Sequence, residues 1–274
     1  LQLGNAIDRY LDPGRIILGT HNKKTENLCK KLFQNICDNI ISMNLESAEL
    51  VKHGINSFLA MSIVFIDQLS DICEENNADI KSVVNGIKSD DRIGEKAYLN
   101  PGIGFSGGTL GRDLQVLQSK TNINEYPNAN IFKSVYDQNS RRKSIIVSKI
   151  ERKLSSLKGK NIGILGVTYK PGTSTLRRSL PIEICKLLLK KSTNIRVYDP
   201  KANFSDLDIN VEVKKNIISL SNNIDMLILL TEWKEFLNFD WNSILLNMRE
   251  NYFYDPKRFL SAQKLKKAGF DYFS

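Results

Sequence analysis

From residue 46 to residue 75 the chain has no proline and only one glycine, and Leu50, Phe58, Leu59, Ile63, Ile66, Leu69 and Ile72 recur at helical spacing. Apolar side chains on more than one face predict a long helix that is covered on several sides, a core element and a dimer axis at once. Asn77 and Asp79 then end it and open a shorter helix through Ile87. Upstream, the first residues read as irregular, followed by an Asp12-Pro13-Gly14 turn and a strand over 15–18. Leu28, Leu32, Phe33 and Ile36 predict a helix over 24–36, and the string CDNIISMN reads as extended. A lone early strand needs a sheet to join, so a further domain is expected before it. An amphipathic helix over 128–157 ends in basic residues and is placed to link two domains.

The period changes from residue 160. NIGILGV, NIRVYDP, DMLILLT and a final ENYFYDP read as strands, and PIEICKLLLKK as a helix opened by Pro181. Strands alternating with helices predict a parallel, doubly wound α/β sheet with its crevice at the strands' carboxyl ends, which puts Tyr169, Lys170 and Asp199 on the rim. Gly163 to Gly166 supply half of a G-x-G-x-x-G string, and Asp199 lies beyond the expected distance for a ribose-binding acid, so the ligand need not be a dinucleotide.

Composition narrows the class. With 274 residues and 41% hydrophobic content the chain can build two cores. No unbroken apolar run reaches the roughly 18–20 residues of a membrane span, and no signal-peptide order opens the chain, so a soluble cytoplasmic protein that meets no membrane is expected. Cys29, Cys37, Cys73 and Cys185 are scattered, and His21 and His53 are the only histidines, so no metal site is expected and the thiols read as reduced and mostly buried. The net charge of +9 comes from basic residues mixed with acidic ones, without basic blocks or interleaved aromatics. That pattern is a solvated surface and argues against nucleic acid as a partner.

Residues 100–113, NPGIGFSGGTLGRD, lead a glycine-rich stretch into a helical pattern. Such backbone can present N–H groups to an anion or let a ligand approach closely, and a tight structural turn would use the same glycines.

Four strings in order carry a resemblance: AELVKHGINSFLA; DRIG with GIGFSGGTLGRD; GVTYKPGTSTLRRS with VYDP; and TEW with YDPKR. Together they resemble the UDP-glucose/GDP-mannose dehydrogenase family over essentially the whole chain. The resemblance implies the end of an N-terminal NAD-binding Rossmann domain over 1–44, most of that domain lying upstream. It further implies a helical central dimerisation domain over 45–158 and a Rossmann-like nucleotide-sugar-binding domain over 159–274. It implies NAD-dependent, four-electron oxidation of a UDP-sugar's C6 hydroxyl through a cysteine-linked intermediate, in a homodimer built on the helix over 46–75. Lys52 matches the family lysine near C6, and Asn56 the asparagine beside it, one helical turn away. Asp113 matches the aspartate that handles water and protons, and Arg92 an arginine that reaches substrate, in many members across a subunit boundary. Phe105 and the glycines through Gly107 and Gly108 match the loop along the sugar. Lys170, Lys257 and Arg258 match basic contacts to the nucleotide sugar, and Arg177 an arginine near the cofactor.

The departures point elsewhere. Thr109 stands at the nucleophilic cysteine and Arg112 at a neighbouring lysine, while Leu3, Ser174, Thr175 and Arg178 occupy positions that are acidic in the family pattern. A threonine hydroxyl is far less acidic than a thiol and needs a paired base, which the sequence does not identify. Oxidation limited to the aldehyde is therefore expected. The alternative is a non-catalytic subunit that binds the nucleotide sugar or serves assembly.

Overall fold

The computed structural model describes residues 6–106, 108–120 and 130–274. The opening residues 6–11 form a helix, α1 (Ala6–Leu11), rather than an irregular stretch. Strands β1 (Ile16–Gly19) and β2 (Ile40–Met43) pair in parallel across α2 (Lys23–Phe33), so the early strand finds its neighbour within the chain. Asn22 caps α2 by accepting the Thr25 N–H.

Helix α3 (Leu45–Glu75) runs 31 residues and is capped by Asn44, whose side chain accepts the Ser47 N–H at 2.8 Å. Two separate cores use its inner face. Ala60, Ile63 and Val64 pack with Phe105, with Leu114 of α5 (Thr109–Lys120) and with Val135 of α6 (Ile131–Leu154). Further along, Ile66 and Cys73 pack with Leu99 and with Ile80 and Val84 of α4 (Ile80–Lys88). The outer face is uncovered: Phe58, Phe65 and Ile72, spaced seven residues apart, are each at least half exposed. Among the described residues α3 is the one helix long and apolar enough to cross a membrane. The expectation of no such segment rested on unbroken apolar runs, and here Asp67 and Asp71 break the run. Both carboxylates turn inward onto Arg142 of α6, an arrangement suited to a protein core.

The second half is a six-stranded sheet of β3 (Asn161–Leu165), β4 (Asn194–Tyr198), β5 (Glu212–Val213), β6 (Met226–Leu229), β7 (Tyr252–Tyr254) and β8 (Asp271–Phe273). Its order is β5-β4-β3-β6-β7-β8, every pair is parallel, and the order reverses between β3 and β6. The doubly wound expectation is met, with β5 and β8 added. These strands have two and three residues, too short for alternation to register in sequence. One face is covered by the C-terminal half of α6 and by α7 (Leu180–Lys190), which places Ile146, Ile150 and Leu188 against Ile162 and Ile164. The other is covered by α8 (Ile217–Ser221), α9 (Trp241–Leu246) and α10 (Ala262–Lys267), where Trp241 meets Phe253 edge-on at 5.3 Å. Helix α6 contributes Val135 to the helical core and Ile146 and Ile150 to the sheet core, so one helix serves both halves.

Candidate active site

The glycine-rich loop is held from both sides by buried charge. Asp67 of α3 accepts the Gly102 N–H at 2.6 Å, and Arg142 of α6 donates to the Gly102 carbonyl from Nη2 at 3.1 Å and Nε at 3.3 Å. Three residues on, Asn139 accepts the Phe105 N–H at 2.8 Å and donates to its carbonyl at 3.2 Å. Between these anchors Gly104 has φ +92, and a Cβ there would sit 2.5 Å from Asn139 Oδ1. Both the backbone angle and the packing require glycine. The clamp is ionic as well, because Arg142 donates to Asp71 from Nη1 at 2.5 Å and Lys149 bonds Asp71 at 2.8 Å. Burial pushes the Asp67 carboxyl up to about 6, with Arg142 opposing the rise.

The loop delivers the first turn of α5 to α3. Thr109 is exposed on that turn, and Asp113, one turn later, is 1% exposed. Asn56 Nδ2 donates to Asp113 Oδ2 in a short hydrogen bond. His53 Nδ1 lies 3.2 Å from Asp113 Oδ1, and Arg112 Nε lies 3.7 Å from the same oxygen. The His53 contact is at ion-pair distance but lacks hydrogen-bond geometry, so Nδ1 is a buried nitrogen without a hydrogen-bond partner. Lys52 is exposed one residue before it, on the turn that also carries Asn56. The structure therefore joins Asn56 and Asp113 across the α3–α5 seam, with Lys52 one turn before Asn56 and Thr109 one turn before Asp113, and adds His53, which the sequence reading weighed only as a metal ligand. Its spacing of three from Asn56 is the signal that could have found it. Among the described residues no cluster of three His, Cys, Asp or Glu side chains could hold a metal ion.

Other expected residues lie apart from this seam. The Phe105 side chain is buried in the helical core and anchors the loop. Gly107, like Leu3, lies outside the described residues. A Cβ on Gly108 would fall 1.8 Å from an Arg178 guanidinium nitrogen, so Arg178 reaches across the start of α5. Arg92 is exposed and forks onto Asp90 at 2.6 and 2.9 Å. Lys257 and Arg258 line a cavity of about 500 Å³ together with Lys81 and Lys88 of α4, Asn100 and Glu232. Each is engaged within the chain, Lys257 with Glu232 at 2.7 Å and Arg258 with Asp79 at 3.1 Å. Lys170 lies over the Tyr169 ring at 5.7 Å. Arg177 lines a separate cavity of about 310 Å³ with Arg178 and Asp208.

Asp199 corrects an expectation. It is buried at the β3–β6 reversal, not on a rim, and one of its oxygens accepts from Val167 N, Thr168 N and Oγ1, and Trp233 Nε1. The other accepts from Lys201 N and Ala202 N. A carboxylate so fully satisfied closes the backbone turn and has no acceptor capacity left for a ribose. Beside it Gly166, at φ +80, comes so close to β6 that a Cβ would stand 2.6 Å from the Thr231 carbonyl oxygen.

Fold and site together describe a nucleotide-binding type of parallel sheet joined by one helix to an α-helical layer that carries a lysine, an asparagine and a buried aspartate. Comparison with known proteins makes this specific. Residues 46–141 match the central-domain model of the UDP-glucose/GDP-mannose dehydrogenase family, and residues 163–262 match its UDP-binding-domain model. These matches together cover more than half of the chain, which belongs to this family. It is similar to the UDP-glucose 6-dehydrogenase of Rickettsia bellii, 37% identical over 282 residues, a match spanning 100% of this chain and 64% of that protein. Against the UDP-glucose 6-dehydrogenase TuaD of Bacillus subtilis the identity is 29%, over 100% of this chain and 60% of the relative. The chain thus spans less than two thirds of the length of these relatives. In fold it resembles the UDP-glucose dehydrogenase of Pyrobaculum islandicum, with a TM-score of 0.84 at 24% identity over 98% of this chain and 60% of that one.

The loop clamp should be visible in stability against pH. Asp67 binds its proton more tightly folded than unfolded, so its contribution is fully present below pH about 4 and is lost as pH rises through about 6. Unfolding free energies from urea titrations should therefore fall between pH 4 and 6.5 by on the order of 2 kcal/mol more in the native chain than in Asp67→Asn. Equal slopes in the two proteins would show that Asp67 is not desolvated in solution.

Proposed function

We propose that this chain is the sugar-nucleotide-binding and proton-handling part of an NAD-dependent dehydrogenase that oxidises the C6 hydroxyl of a UDP-sugar, and that the oxidation stops at the aldehyde. The observation that carries the reading is the α3–α5 seam. Asp113, buried one turn after the position where the family pattern has its nucleophile, is hydrogen-bonded by Asn56, and Lys52 is exposed one turn before Asn56 on α3. Lys52 supplies positive charge for an alkoxide forming at C6. Asn56 orients both Asp113 and the sugar, and Asp113 holds the proton balance. The loop from Gly104 to Gly108 lies along the sugar with its backbone, since the Phe105 side chain is committed to the core. Lys170, Lys257 and Arg258 meet the diphosphate, and the two ion pairs now holding Lys257 and Arg258 exchange for phosphate when it arrives.

NAD accepts the hydride when bound, and the C-terminal sheet does not fit it: Asp199 is consumed by backbone donors. Arg177, exposed at the second cavity, is suited to meet a pyrophosphate edge. The three-part division at residues 44 and 158 belongs to this reading. So does homodimerisation through the uncovered face of α3, with Arg92 exchanging Asp90 for a partner's site. A second reading, a binding or assembly subunit without chemistry, draws support from Thr109 and from the Arg178 side chain lying across the start of α5.

Calorimetric titration of this chain with UDP-glucose, UDP and GDP-mannose is expected to show uptake of the uridine ligands; no heat at millimolar concentrations of any of them would remove the substrate class. In a form that carries an NAD-binding domain, mass spectrometry should find aldehyde or its hydrate and little uronic acid. Thr109→Cys should raise acid formation by about tenfold or more, because a thiol adds to the aldehyde where the hydroxyl does not. Efficient acid production by the threonine form would refute the mechanism, and NADH from neither form would favour the non-catalytic subunit.

Light scattering at tens of micromolar chain should report a dimer, and Phe58→Glu with Phe65→Glu should convert it to a monomer without loss of helix content. A monomeric native chain would count against α3 as the axis.

A further inference from the structure

Asp113 presents a physical difficulty for any role in proton transfer. At 1% exposure its carboxylate has almost no surface through which a substrate or a water could reach it, so a proton must pass through a neighbouring group. Among the described residues its hydrogen-bond and ion-pair partners are Asn56 and His53 from α3, and Arg112 from its own helix. An amide does not exchange protons at neutral pH, and a guanidinium stays protonated throughout. Imidazole is the one group of the three that can both accept and release a proton near neutrality.

The placement of the ring suits that task. Its Nδ1 is buried and stands 3.2 Å from Asp113 Oδ1, while 27% of the side chain remains accessible. The open part therefore lies away from Nδ1, toward the edge that carries Nε2. Because Nδ1 has no other hydrogen-bond acceptor, a small rotation of the ring that completes the bond to Asp113 satisfies a buried nitrogen at no other group's expense. Charges around the pair come from both helices: Lys52 precedes His53 on α3 and is exposed, and Arg112 approaches the same Asp113 oxygen from α5.

The geometry points to His53 as the proton relay of this site, held by Asp113 in the tautomer with hydrogen on Nδ1 and bare Nε2. A hydroxyl or a water at the seam gives its proton to Nε2, and the imidazolium that forms is stabilised by the Asp113 carboxylate through the Nδ1–H. Loss of the Nε2 proton to solvent restores the starting state, so no other reactant is needed. This assignment rests on the dehydrogenase reading for its substrate, but the tautomer itself does not.

The chain has two histidines, so ring-nitrogen spectra of ¹⁵N-histidine-labelled protein contain two sets of signals, and His21→Gln leaves one. For His53 we expect a protonated Nδ1 and an unprotonated Nε2 in the neutral form. Asp113→Asn should shift it toward the Nε2–H tautomer. A native spectrum already showing Nε2–H overturns the proposal even if Asp113→Asn fails to fold, and identical nitrogen shifts in the two proteins overturn it as well. In a form that carries an NAD-binding domain, His53→Ala should lower kcat about 100-fold or more with KM little changed, and added imidazole should restore much of the loss. An unchanged kcat, or a loss that imidazole does not rescue, overturns the relay. An Asp113-dependent tautomer in a protein that oxidises no sugar would instead sink the dehydrogenase reading while the histidine–aspartate pair stands.

Discussion

The N–H and carbonyl of Gly102 are gripped by opposite buried charges, Asp67 at the first and Arg142 at the second, and the glycine loop that leads into α5 depends on that grip. A glycine-rich segment has more backbone freedom to lose than any other, so its conformation must be imposed from outside. Here two helices impose it. Each contributes a charge that would be costly to bury alone and that is compensated by the other and by the peptide between them. Asp71 and Lys149 extend the pairing, which keeps Arg142 balanced however Asp67 titrates. Through Asn139 the same frame sets Phe105, and through Phe105 it sets the start of α5 and therefore Thr109 and Asp113.

A second consequence is that the chemistry and the uncovered surface lie on the same helix. The inner side of α3 supplies the carboxylate clamp and the residues around Asp113, while its outer side offers Phe58, Phe65 and Ile72 to solvent. A rigid 31-residue rod connects the two, so anything that seats against the outer face also steadies the spacing of Lys52, His53 and Asn56.

The sheet contributes a different kind of constraint. At the reversal between β3 and β6, where a doubly wound sheet ordinarily opens its crevice, Asp199 ties the two neighbouring backbone turns together and Gly166 brings the strands into close approach. The carboxylate that the sequence placed on the crevice rim is thus spent on the fold. Basic side chains instead gather where the β7 turn faces α4, around the cavity that joins Lys257 and Arg258 to the beginning of the glycine loop.

Periodicity in the sequence was enough to define α3 to within one residue, the alternation of strands and helices after residue 160, and the linking helix α6, because each is a long pattern with one dominant buried face. The ordered motifs likewise singled out Lys52, Asn56, Thr109 and Asp113, and spacing already put the first two on one helix face. What local pattern could not contain was anything decided by sequence-distant partners. Phe105 became core because α3, α5 and α6 close around it. Asp199 became structural because Trp233 and two turns converge on it, and His53 acquired a role because a helix sixty residues away buries Asp113 against it. Short strands such as β5 and β8 escaped for the same reason: their stability comes from a neighbouring edge, not from their own residues. A side chain's chemistry is written in the sequence, but its solvation and its partners are set only when the chain closes on itself, and at this site those two quantities determine what each group can do.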